Sequence, residues 1–170
     1  MNTQGISKQT EDLTRYITRC LKANSPLLIF LEYQNQNTKT QLTTNLESLL
    51  KGLCNLVVLD LESVDQHQRL FQHMSENEGF ETLFVVDSYP KEEKEGGQRI
   101  SSDFLSYLNV NRDRVSENRF KVLFFLRSVD VPFLMEEAGD LWAHRHRFFV
   151  LKEDDKPSEL ITSEPGTSVS

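Results

Sequence analysis

Five short apolar runs punctuate the chain, at Leu27–Leu31, Leu56–Leu61, Thr82–Asp87, Lys121–Leu126 and Arg147–Leu151. Most are continuously apolar and rich in Val, Ile, Leu and Phe. That is the pattern of strands covered on both faces, as in a parallel sheet. Between the runs the period changes. Leu42, Leu46, Leu49, Leu50 and Leu53 fall on one face of a helix. Leu70, Phe71 and Met74 do the same behind Ser63, which suits an N-cap. Phe104, Leu105, Leu108, Arg112 and Val115 predict a further helix after Ser101 and Ser102. Leu134, Met135 and Ala138 predict a shorter one with Pro132 near its first turn. A leading amphipathic helix carries Leu13, Tyr16, Ile17, Cys20 and Leu21, and stops before Asn24-Ser25-Pro26.

The predicted order is α-β-α-β-α-β-α-β-α-β. Such alternation implies right-handed crossovers and an α/β fold: a three-layer α/β/α sandwich around a five-stranded, mainly parallel sheet. Residues 1–151 read as one domain. Lys91–Gln98 (KEEKEGGQ) is a solvated loop by composition. Residues 152–170 turn acidic and then rich in Ser, Thr, Pro and Gly, which predicts a disordered tail. Its adjacent apolar pair, Leu160 and Ile161, suits a docking peptide.

Composition narrows the function classes. With 170 residues, 38% of them hydrophobic, the chain can build one core and is not a disordered polymer. A formal charge of −7 disfavours nonspecific binding to nucleic acid or anionic membranes. No apolar run approaches the roughly 20 residues of a bilayer span, and the polar first 25 residues carry no secretory core. Cys20 and Cys54 have neither disulfide-scaffold nor metal spacing. Reduced thiols and a cytoplasmic location are expected.

Ligands of open parallel sheets bind beyond the carboxyl ends of the strands. A phosphate-binding P-loop, G-x-x-x-x-G-K-[ST], aligns there with Tyr33-Gln34-Asn35-Gln36-Asn37-Thr38-Lys39-Thr40. Lys39 and Thr40 occupy the phosphate-lysine and magnesium-hydroxyl positions, but Tyr33 and Thr38 replace both glycines. The expectation is a cradle obstructed by the Tyr33 ring, strain at Thr38 in any P-loop conformation, and Lys39-Thr40 as a solvated first helical turn. Leu83–Asp87 reads like a Walker B strand that places Asp87 near Thr40, followed by Ser88 where many hydrolases have glutamate. Arg127 ends the fourth strand where some ATPases sense the γ-phosphate. Without the glycines it is expected to pair with Asp87. The alternative keeps Mg-ATP as cofactor, held by Lys39, Thr40, Asp87 and Arg127 in an atypical nucleotide-binding protein or weak ATPase.

Two other constellations carry a weaker chemical signal. Asp60, Glu62 and Asp87 would bring carboxylates to strand ends, without the phosphoacceptor-and-lysine order of a receiver domain. His144 and His146 share a face on an extended chain and would need Asp140 or Glu137 to bind a metal. With Arg145 and Arg147 they more simply form a basic rim, while Trp142, Phe148 and Phe149 belong to the core and its edge. Neither a G-x-S-x-G elbow nor an HExxH helix is present.

The back third carries a family resemblance. Leu108-Asn109, Arg112-Asp113-Arg114 and the strand Val122–Leu126 are followed by Ala138-Gly139-Asp140-Leu141-Trp142-Ala143-His144-Arg145 and Phe148-Phe149-Val150. Together they resemble a pattern of prokaryotic STAND-type signalling ATPases, specifically the APDLW-x-x-R…VFxF segment of inactive STAND domains. In those domains a P-loop NTPase core has lost its nucleotide motifs. The resemblance implies a sheet order of 5-1-4-3-2, no catalysis and no cofactor. It also implies a regulatory or scaffold role in bacterial signalling or conflict (defence) systems, through an unidentified protein partner or effector, with a homo-oligomer left open. The contact surfaces it suggests are the Lys91–Gln98 loop, the acidic tail, and the segment holding Trp142, His144, Arg145 and His146. The family's usual fusion to effectors or helical repeats is not carried over.

Overall fold

Helix α1 (Gln4–Ala23) buries Leu13, Ile17 and Leu21 along one stripe. It ends at Asn24, whose φ of +51° is left-handed. The Asn24 N–H donates to the Leu21 carbonyl (3.2 Å) and the Ser25 N–H to that of Cys20 (2.9 Å), a Schellman turn that delivers the chain into β1 (Leu27–Tyr33). Arg119 (φ +54°) repeats the device ahead of β4 (Lys121–Arg127), with the Phe120 N–H donating to the Val115 carbonyl. Lys121 Nζ then donates to Asn24 Oδ1 (2.6 Å) and to the Arg119 carbonyl (3.0 Å), tying both turns to one end of the sheet.

The computed structural model describes residues 4–60, 68–77, 81–87 and 100–151. The Ser63 cap, the Lys91–Gln98 loop, Glu62, Ser88 and the 152–170 tail lie outside these residues. The remaining elements are α2 (Gln36–Leu49), β2 (Asn55–Asp60), α3 (Leu70–Asn77), β3 (Thr82–Asp87), α4 (Ser102–Val110), α5 (Asp113–Glu117), a 3-10 turn (Ser128–Asp130), α6 (Val131–Glu137), α7 (Gly139–Ala143) and β5 (Arg147–Val150). The strands form one all-parallel sheet in the order β2-β3-β4-β1-β5, which is the expected order counted from the other edge.

Alternation along β1 separates the layers. Tyr33 meets Lys39 of α2 on one face, and Phe30 meets Trp142 of α7 on the other. Helices α1 and α2 pack together, and α4 packs with α6 and α7 as a second group. Central strands β1, β3 and β4 are almost wholly buried. β2 and β5 are partly exposed because each is an edge, not a strand covered throughout.

Three expectations need correction. The helix predicted through Val115 is two, α4 and α5. At the break, both the N–H and the Nδ2 of Asn111 donate to the Tyr107 carbonyl, so the side chain bonds locally in place of a continuing turn. Leu49 and Leu53 are about half exposed (47% and 48%), since α2 ends at Leu49 and the chain reverses through Gly52 at φ +82°. Met135 is likewise exposed on α6.

Candidate functional site

β1 ends at Tyr33 and α2 begins at Gln36, so only Gln34 and Asn35 connect them. Asn35 is the N-cap. Its Oδ1 accepts the Asn37 N–H at 2.7 Å, and its carbonyl accepts the N–H groups of Thr38 (3.1 Å) and Lys39 (3.3 Å). Backbone amides that a P-loop turns toward phosphate are here engaged by one asparagine. The expected strain at Thr38 does not arise, because the residue is buried within a regular helix. Nor does Tyr33 obstruct an open cradle. It is a buried strand residue whose ring meets Phe125 edge-on, with centroids 5.9 Å apart at 88°.

Lys39 is not a solvated helical residue. Its side chain is 5% exposed and runs back to the sheet, where Nζ lies 2.6 Å from Asp87 Oδ2 at the end of β3. The same ammonium sits 4.9 Å from the Tyr33 ring centroid and 3.5 Å from the Tyr33 hydroxyl oxygen. Thr40, its neighbour, stays exposed. Arg127, expected to pair with Asp87, is found against Asp130 among the described residues. Arg127 Nε lies 3.4 Å from Asp130 Oδ2, and the fully buried Asp130 accepts the Ile100 N–H on Oδ1 (3.4 Å). Asp130 was absent from the sequence-based site, although its place just before Val131-Pro132 marks a helix start.

Beside this pair, a cleft of about 210 Å³ opens between α2 and the ends of β2 and β3, bordered by Thr40, Thr43, Asp60 and Asp87. Asp60 and Asp87 are register neighbours on adjacent strands. Among the described residues, no three His, Cys, Asp or Glu side chains converge as a metal set. Chemically, the arrangement places an ammonium already neutralised by a carboxylate where a nucleotide would need free positive charge.

The aromatic-basic segment is equally engaged with its own fold. Trp142 stacks on Phe30 (5.5 Å, 26°) and meets Phe148 edge-on (5.1 Å, 69°). The Arg145 guanidinium covers the Trp142 ring at 4.2 Å and donates to the Trp142 carbonyl at 2.8 Å. His144 Nδ1 contacts the Asp140 carbonyl (2.8 Å), and its Nε2 lies 3.6 Å from Asp113. His146 Nδ1 accepts the Leu28 N–H at 2.9 Å. Burial, with a smaller contribution from the charge of His144, pushes the His146 pKa below its ordinary value. Asn109 Oδ1 accepts the Leu141 N–H (2.8 Å), and Arg112 donates to the Asn109 carbonyl (2.6 Å). The residues that carry the family resemblance thus pack as one unit. Burial also pushes both the Cys20 and Cys54 thiols up, away from thiolate reactivity.

No protein-family model and no curated protein matches the chain. Among solved structures it is similar to Saccharomyces cerevisiae RIF2, with a TM-score of 0.47 and 13% identity over 88% of this chain and 60% of that one. The chain therefore spans about 60% of the length of that protein. A likeness of this size carries nothing about function. No helix among the described residues is long and apolar enough to cross a membrane.

Proposed function

We propose that this chain is a non-catalytic interaction domain on a P-loop NTPase-like frame, acting by contact with a protein partner. One observation carries the reading: Lys39 is neutralised by Asp87 while the amides of Asn37, Thr38 and Lys39 are held by Asn35. A triphosphate arriving here would have to break an internal ion pair and unwind the first turn of α2. The finer reading is a regulatory or scaffold role, derived from a STAND ATPase, in a prokaryotic signalling or defence system. It rests on the resemblance around Asp140-Leu141-Trp142 and Arg145. Its candidate contact surface is the segment of Trp142, His144, Arg145 and His146, most exposed at His144 and His146.

The test is thermal melting with millimolar Mg-ATP or Mg-GTP, for which an unchanged melting temperature is expected. A ligand at 100 times its dissociation constant adds about 2.7 kcal/mol, so an upward shift of several degrees overturns the proposal. That shift would favour the second reading, an atypical nucleotide binder or weak ATPase using Lys39, Thr40, Asp87 and Arg127. The cleft beside Thr40 and Asp87 is what favours it.

A further inference from the structure

Three stretches of this acidic chain are free of carboxylates. Tyr16–Asn24, Asn118–Lys121 and Ala143–Phe148 hold Arg19, Lys22, Arg119, Lys121, Arg145 and Arg147, six of the 19 basic residues and none of the 26 acidic ones. The fold brings them to one rim of the sheet. β4, β1 and β5 are parallel neighbours, with Leu27 in register with Lys121 and Ile29 with Arg147. Lys121 ties the turns that enter β1 and β4, and the positive charges of Arg19 and Lys121 both reach Cys20. The Tyr16 ring joins α1 to β5: the Arg147 guanidinium lies 4.6 Å from its centroid and that of Arg19 5.8 Å. Arg19, Lys22, Arg119 and Arg147 are exposed, and none of these four has an ion pair with a described carboxylate. Asp12 on α1 and Asp113 on α5 are met instead by Arg15 (3.2 Å) and His144 (3.6 Å).

We propose that this rim docks a short acidic peptide segment of a protein partner, with Arg19 and Arg147 as its anchors. The proposal rests on the reading of the chain as a contact domain and adds the partner's chemistry. Cations gathered without counter-charge repel one another, and the field they make draws in an anion. Lys22 and Arg119 lie at helix ends, where cations also offset the helix dipole. Arg147 has no such role. It is a strand residue, held with Arg19 at one aromatic ring, and such contacts leave guanidinium N–H groups to grip carboxylates two at a time. The size of the rim selects a peptide over a nucleic acid. The outer strands β4 and β5 lie about 10 Å apart at the usual spacing, which about three extended residues span. A longer polyanion would run past the rim onto the remainder of the chain, which holds all 26 acidic residues.

The experiment is fluorescence anisotropy of labelled probes titrated with the whole chain. The probes are a peptide with a run of about four glutamates, the same peptide with glutamine in their place, and an oligothymidylate of about ten nucleotides. The glutamate peptide is expected to bind, and to weaken several-fold as salt rises from about 50 to about 150 mM. Arg19→Glu with Arg147→Glu is expected to weaken it at least about tenfold with an unchanged melting curve. Arg15→Ala, which removes a guanidinium already paired with Asp12, is expected to leave it unchanged. If the first variant fails to fold, Lys22→Glu with Arg119→Glu decides, and the same loss is expected. A glutamate peptide that does not bind, binds no better than the glutamine one, or survives charge reversal overturns the proposal. So does tighter binding of the oligonucleotide. Failure here with an unchanged Mg-ATP melt removes the acidic partner and leaves the contact-domain reading in place.

Discussion

Lys39 and Asp87, 48 residues apart in sequence, meet at 2.6 Å where the first turn of α2 passes over the end of β3. In a nucleotide-binding P-loop these positions face a ligand, the lysine toward phosphate and the aspartate toward magnesium. Here they face each other. The change follows from a loop shortened to Gln34 and Asn35, which lets the helix start early and turns the Lys39 side chain inward, beside Tyr33.

Asn109 joins α4 to α7 by accepting the Leu141 N–H, a cap supplied from a different helix. Replacing a capping oxygen costs about 1 kcal/mol. Asn109→Ala is therefore expected to lower the unfolding free energy by about that amount, read from a lower urea midpoint, while Asn109→Asp keeps the acceptor and most of the stability. Arg112 holds the main-chain carbonyl of Asn109 and is unaffected by either change. Fluorescence of Trp142, the single tryptophan and a residue of α7, reports the transition. Equal stability of Asn109→Ala and wild type would contradict the capping role.

The strand runs were legible because continuous Val, Ile, Leu and Phe segments have no other comfortable place in a chain this polar. The sheet order came from the family resemblance, since local pattern does not say which strands neighbour. Lys39, Thr40 and Asp87 were found as a group because spacing alone places them at the strand ends. What they do there was not legible. Whether a lysine faces solvent or turns inward depends on where the helix begins, and Asn35 settles that through a hydrogen bond to its own neighbours. The Asp130 partner of Arg127 is not legible in the sequence, because Asp130, three residues on, is reached only once the 3-10 turn forms.

Arg119 holds φ +54° without being glycine, and its side chain is exposed. A left-handed conformation costs an ordinary residue about 1–2 kcal/mol, part of which glycine's greater unfolded-state freedom offsets. Arg119→Gly is expected to raise stability by about 0.5–1 kcal/mol, read from the urea midpoint. Lys121 bonds the Arg119 carbonyl, which survives the change. A loss of stability would show that the arginine side chain matters more than its backbone.

His146 makes stability depend on pH. Burial lowers its folded pKa below the ordinary 6.5, and its Nδ1 must be unprotonated to accept the Leu28 N–H. Below pH 6.5 the unfolded chain takes up a proton that the folded chain resists, so stability falls on acidification and is retained above that point. The wild type is expected to lose more stability between pH 7.5 and 5.5 than His146→Asn does. Identical losses in denaturation curves would remove His146 from the account.

The most direct measurement is a double-mutant cycle on Lys39→Met and Asp87→Asn, followed by urea denaturation without nucleotide. Losing Lys39 alone is expected to cost about 3 kcal/mol, because it removes the ammonium that faces a largely buried carboxylate. The double variant is expected to be milder than the sum of the single ones by at least about 1 kcal/mol. Additive losses, or a Lys39→Met chain as stable as wild type, would show that the lysine is not spent on Asp87 and remains available to a phosphate.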